Sequence, residues 1–209
     1  MSCKKSLLEP GHFEINVRRS RFIGDSARCE CEEEAKSFIK SLSQRYASAD
    51  HCCWAYRISL QGREIANYSD AGEPHGSAGK PILGAIESLE LTDVVVVVTR
   101  YFGGTKLGVR GLIDAYGETA AGALRAGKLA LYCPGLELVV EMTYSQWNDF
   151  IRLFGEDKDF SVRKVDYSER VFASLAVQEK NIERITGFLE DRRIFHKSGE
   201  ELSFVSPLE

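Results

Sequence analysis

The sequence predicts an α+β protein of two successive domains, residues 1–132 and 133–209. Three observations point there. Apolar runs with strand period and with helix period alternate along the whole chain, and the cluster Cys133-Pro134-Gly135 interrupts them. The charge changes across that cluster: residues 1–133 carry 17 Lys+Arg against 16 Asp+Glu, and residues 134–209 carry 10 against 15. At 209 residues the chain can fill two cores of ordinary size. With 44% hydrophobic and 28% charged residues, it is too apolar to stay disordered and too charged to live in lipid.

The elements follow in order. Phe13, Ile15 and Val17 alternate, and after the basic cluster Arg18, Arg19, Arg21 the pattern resumes at Phe22 and Ile23, which fits two strands or one bent strand. Cys31 to Tyr46 reads as a helix: Glu32, Glu33 and Glu34 suit its positive end, and Ala35, Phe38, Ile39 and Leu42 recur at helical spacing. His51–Leu60 and Arg63–Tyr68 flank Gln61-Gly62 as a hairpin. Pro81 suits a first helical position, with Ile82, Leu83, Ile86 and Leu89 as the apolar stripe. Val94 to Val98 is a β-branched run of the kind buried on both sheet faces. Leu112 to Leu124 then trace a helix that Gly127 can stop.

Beyond Pro134, Leu136, Leu138, Val140 and Met142 alternate as a strand, and Trp147 to Phe154 read as helical. Phe160–Tyr167 and Val171–Val177 read as strands, Asn181–Arg192 as a helix and Leu202–Val205 as a closing strand. The order βαββαβ is that of the ferredoxin-like split βαβ arrangement. Trp147, Phe150, Phe154 and Phe188 fall at core-like spacing.

Several function classes lose ground on composition. The longest apolar run, Val94–Val98, is too short to span a bilayer, and the N-terminus has no signal-like stretch, so no membrane role and a cytoplasmic location are expected. Six cysteines at 3, 29, 31, 52, 53 and 133 contain no Cys-x-x-Cys pair and read as reduced thiols rather than a disulfide framework. A net charge of −4 argues against wholesale adhesion to nucleic acid, so the basic residues are judged by position.

Two glycine-rich, basic loops stand out, Ser69 to Lys80 and Thr99 to Gly111, each opening a predicted helix. Helix starts expose unpaired N–H groups, glycine admits close approach, and Lys80, Arg100, Lys106 and Arg110 add charge, so the loops suit phosphate. Gly103, Gly104 and Gly108 belong to that candidate surface, and Arg18, Arg19, Arg21 and Arg57 extend it as a track with Tyr56, Tyr101 and Phe102 as stacking faces. The same glycines can equally serve tight turns. Asp70, Gly72, Glu73, Pro74, Gly76 and Gly79 are read as shaping the first loop. Gly76-Ser-Ala-Gly-Lys-Pro lacks Walker spacing and Gly103-Gly-Thr-Lys-Leu-Gly108 lacks the dinucleotide pattern, so no cofactor is expected.

These loops, with Arg19-Ser-Arg-Phe-Ile and His51-Cys-Cys-Trp-Ala-Tyr-Arg, resemble the signature of the IMPACT family, and the remaining third resembles the C-terminal domain of its bacterial members. The resemblance implies a first domain like the second domain of a small-subunit ribosomal protein, ordered β-β-α-β-β-α-β-α. It implies a ferredoxin-like domain after it, a pairing also found at the end of elongation factor G, and hence a link to translation. Eukaryotic members restrain a starvation-activated kinase through an added N-terminal domain; the eleven residues before His12 leave no room for one, so that activity is not expected here. The expected role is a noncatalytic regulator that binds RNA, the ribosome or a protein of the translation machinery.

Two other readings stand beside it. Asp70, Glu73 and His75 could serve a small hydrolase, and the acidic second domain could be a protein-interaction module. His51, Cys52 and Cys53 do not converge as zinc ligands, because neighbours on a strand point to opposite faces; no metal is expected.

Overall fold

The computed structural model describes residues 3–60, 63–157 and 159–208. A short strand, β1 (Lys4–Leu7), precedes the hairpin of β2 (Gly11–Val17) and β3 (Ser20–Arg28). The hairpin turns on Arg18 and Arg19 alone, both left-handed at φ 44° and 69°, as a type I′ turn requires. Helix α1 (Glu32–Arg45) begins with its three glutamates at the positive end of the helix dipole. Strands β4 (His51–Leu60) and β5 (Arg63–Ser69) pair antiparallel, and the turn expected at Gln61-Gly62 lies outside the described residues. Helix α2 (Gly79–Ser88), strand β6 (Val94–Tyr101) and helix α3 (Gly108–Ala126) complete this part.

The sheet order is β2-β3-β6-β4-β5, which puts β6 at the centre. Its valines alternate between two cores. Val94, Val96 and Val98 pack with Phe22, Ile82, Leu112 and Tyr116 on the side of α2 and α3. Val95 packs with Tyr56, Ile58 and Ala35 on the side of α1. A strand covered on both faces needs no polar alternation, which is why the sequence runs through five valines.

The rest of the chain builds β7 (Leu129–Met142), α4 (Tyr144–Phe154), β8 (Phe160–Tyr167), β9 (Val171–Gln178), α5 (Ile182–Asp191) and β10 (Phe195–Pro207). Strand β9 lies between β7 and β8, and both β1 and β10 pair β7 in this five-stranded sheet; the strands of this stretch run β8-β9-β7-β10, the split βαβ order. Thr143 and Gln146 form a reciprocal capping box at the start of α4. Leu138, Val140 and Met142 meet Trp147, Phe150 and Leu189 in one core.

By contacts the chain divides into a unit of Lys4–Ala130 with residues 207–208, and a unit of Cys3 with Leu131–Ser206. Four expectations need correction. Cys133-Pro134-Gly135 does not break the chain but lies inside β7; pairing with β9 starts at Gly135, so the N–H that Pro134 lacks is not needed by that ladder. The closing strand is longer than Leu202–Val205, because an exposed strand carries polar residues such as Lys197 to Glu201 without an apolar signal. Helix α2 starts two residues before Pro81, for a reason given below. Cys3 and Cys133 are not reduced thiols but a disulfide; their Cα atoms are 4.1 Å apart although 130 residues separate them, a proximity that spacing cannot reveal.

Candidate functional site

The first glycine loop closes on itself. The Asp70 carboxylate accepts hydrogen bonds from the backbone N–H of Gly76 at 2.8 Å, Ala78 at 3.0 Å and Gly79 at 2.9 Å. The Ala78 and Gly79 amides are groups that a helix start leaves open, so Asp70 starts α2 at Gly79 while its bond to Gly76 closes the loop. Burial alone pushes the Asp70 pKa up, but the three backbone donors and nearby His75 outweigh it and hold the carboxyl below its ordinary value. A phosphate at this helix start would have to displace that carboxylate. Of the two anion-binding helix starts expected from sequence, this one is already filled; Lys80 beside it stays exposed.

Glu73 and Arg100 form the polar centre between the loops. The Arg100 Nη1 donates to Glu73 Oε1 at 2.6 Å, and the Tyr116 hydroxyl donates to the same oxygen at 2.8 Å. Arg100 Nη2 donates to Ser20 Oγ at 3.3 Å, and the guanidinium lies 5.4 Å from the Phe22 ring and 5.3 Å from that of Phe102. Arg100 is only 5% exposed, so the expected surface contact with phosphate is replaced by a buried ion pair. Its Nε–H is buried and has no hydrogen-bond partner among the described residues. Burial drives the Tyr116 hydroxyl pKa upward, which keeps it a donor.

The catalytic alternatives lack a constellation. Asp70 is held by three amides and Glu73 by Arg100 and Tyr116, while the His75 side chain is 98% exposed with Nδ1 3.8 Å from Asp70 Oδ2. The Cys53 thiol donates to the Asp70 carbonyl at 2.9 Å, and burial pushes its pKa up to about 12, so it is not a thiolate nucleophile. His51 Nδ1 sits 3.0 Å from the Ala71 carbonyl, with Nε2 3.9 Å from Glu73 Oε1. Among the described residues no three His, Cys, Asp or Glu side chains group as metal ligands.

The second loop is different. Asp50 accepts from the Phe102 N–H at 2.7 Å, and Gly103 lies so close to the hairpin turn that a Cβ there would sit 2.0 Å from the Arg19 carbonyl oxygen. Gly108 turns into α3 at φ 76°, a left-handed position that favours glycine. No side chain caps α3, and its first turn has no acidic residue. This helix start therefore opens, with Lys106, on a cavity of about 440 Å³. Asp50, Glu73, Pro74, Arg100, Phe102, Val109 and Leu112 are among the residues that line it.

The structure does not bring all the expected basic residues together. Lys106 and Gly108 line the cavity, and Arg110, two residues on, pairs with Asp114 in the exposed first turns of α3. Arg21 lies opposite Tyr101 at the loop end of the sheet and is bound by Glu14 at 2.6 and 2.7 Å. Arg57 lies opposite Val94, six residues along β4 from His51 and so roughly 20 Å from the loops; it is engaged by Glu64. Gly104 is left-handed at φ 84° with open space around it. Tyr116, Ser20 and Val109 were not singled out as site residues from sequence: Tyr116 reads there as one more residue of a helical stripe, and Ser20 and Val109 only as parts of the quoted stretches Arg19–Ile23 and Thr99–Gly111.

A model of the Impact N-terminal domain matches residues 18–124. The IMPACT family member YvyE of Bacillus subtilis is 35% identical over 173 residues, covering 82% of this chain and 78% of that protein. The IMPACT family member YigZ of Escherichia coli is 31% identical over 84% of this chain and 86% of that protein. A crystal structure of a hypothetical protein superposes with a TM-score of 0.64 at 27% identity, over 96% of this chain and 98% of that one.

Proposed function

Because the chain belongs to the IMPACT family, we propose that it is a noncatalytic, translation-linked regulator of the cytoplasm that binds RNA or the ribosome through its second glycine loop. One observation carries this reading: the uncapped start of α3 opens with Lys106 beside the half-exposed ring of Phe102. Bare helix N–H groups and a cation suit a phosphate, and an aromatic face suits an unstacked base. Lys80 and Arg110 add exposed charge on the helices that follow the two loops. Support for a noncatalytic role comes from Asp70 and Glu73, whose carboxylates already serve the fold.

Changing Lys80, Lys106 and Arg110 together to alanine tests it. Filter binding to single-stranded RNA should show weaker affinity at low salt and a salt dependence flattened by up to about 2, at roughly 0.7 per lost phosphate contact. The melting temperature should hardly move, since exposed charge changes typically cost under about 0.5 kcal/mol. Unchanged affinity and slope would transfer attention to the acidic second unit. Arg100 is kept in this variant, because its loss would unpair buried Glu73 and confuse folding with binding.

A further inference from the structure

We infer that the cavity between the loops is a seat for one nucleoside 5′-monophosphate, either free or as the terminal nucleotide of an RNA strand. This rests on the reading above and makes it specific. The cavity, about 440 Å³, falls in the usual range for small-molecule sites. Its lining combines two kinds of chemistry. Lys106 and Gly108 bring a cation and the uncapped start of a 19-residue helix with no acidic residue in its first turn, and the carboxylate of Asp50, just before β4, is engaged by the Phe102 N–H. The helix start and Lys106 take the phosphate dianion.

The rest of the lining suits a base. Phe102, 45% exposed and braced by the Arg100 guanidinium, supplies a flat ring, and Pro74, Val109 and Leu112 supply apolar surface. Among these stand Glu73 and Arg100, both over nine-tenths buried, and Arg100 keeps one buried N–H without a hydrogen-bond partner among the described residues. The edge of a base offers acceptors and donors together with a flat face. The α2 start, with its own carboxylate in place, is excluded as the phosphate position.

Titration calorimetry on the full chain tests this with AMP, GMP, CMP and UMP, the four nucleosides, inorganic phosphate, and short RNA oligomers ending in 5′-phosphate or 5′-hydroxyl. At least one monophosphate should bind about tenfold or more tightly than its nucleoside and than phosphate alone. Lys106→Ala should erase the advantage of monophosphate over nucleoside. Val109→Trp, at a 55% exposed position on the lining, should block both while leaving the circular dichroism and melting curve intact. A 5′-phosphorylated oligomer tighter than any monophosphate identifies a strand end; equal affinity identifies the free nucleotide. If RNA binds but no monophosphate does, or Val109→Trp changes nothing, the seat is wrong and the surface reading survives. If neither RNA nor nucleotide binds, both are wrong.

Discussion

Asp70 and Glu73 are three residues apart and do different jobs that the sequence does not separate. Asp70 neutralises a helix start from the loop before it; Glu73 neutralises a buried arginine. Asp70→Ala should cost about 1–2 kcal/mol, as for the loss of a strong cap, and Asp70→Asn less, because an amide oxygen still accepts. The folded-state pKa of Asp70 lies below its ordinary 3.8, so the charged form is the one that folding favours. Its contribution is therefore complete above 3.8 and disappears as pH falls through the lowered value. Urea midpoints for wild type and Asp70→Ala should differ near neutral pH and converge in acid. A constant gap at all pH would mean that the carboxylate's charge is irrelevant. Arg100 was legible in part. It lies two residues beyond Val98 on β6, and strand parity places it on the same face as Val94, Val96 and Val98, toward α2 and α3. Charge composition drew it to the surface; period 2 draws it inward, and the structure follows the period.

At the scale of elements, β6 is paired on both edges by β3 and β4, and all five of its valines are fully buried. Its amides should be among the slowest to exchange with deuterium, opening only when the whole unit unfolds, whereas those of the edge strand β5 exchange earlier. Equal rates in β5 and β6 would show that the sheet has no such hierarchy. Helix α1 and β6 were readable because each has one strong signal, glutamates at a helix start or an unbroken β-branched run. The start of α2 was displaced because its cap, Asp70, lies nine residues away from Gly79 in sequence. Local rules look for a cap at the residue before the helix, and here Ala78 cannot be one. The difference between the two loops was invisible for the same reason: both are glycine-rich and basic, and only the folded geometry shows that one helix start is occupied and the other bare.

For the molecule as a whole, each unit has its own core. A fragment of residues 4–130 should fold alone with a cooperative thermal transition, somewhat weakened because it lacks the bond from the Leu208 N–H to the Leu129 carbonyl, worth about 0.5–1.5 kcal/mol. A molten or insoluble product would show that the first unit depends on the second. The division of the chain also has a consequence for its synthesis. Residues 207–208 belong to the first unit, and Cys3 belongs to the second through its bond to Cys133. On the ribosome, the first unit can collapse early but receives the bond from the Leu208 N–H only after all of 131–206 has been made. The second unit, conversely, must recover a cysteine made among the first residues. Each unit is thus completed by a short piece from the other end of the sequence, residues 207–208 for the first and Cys3 for the second.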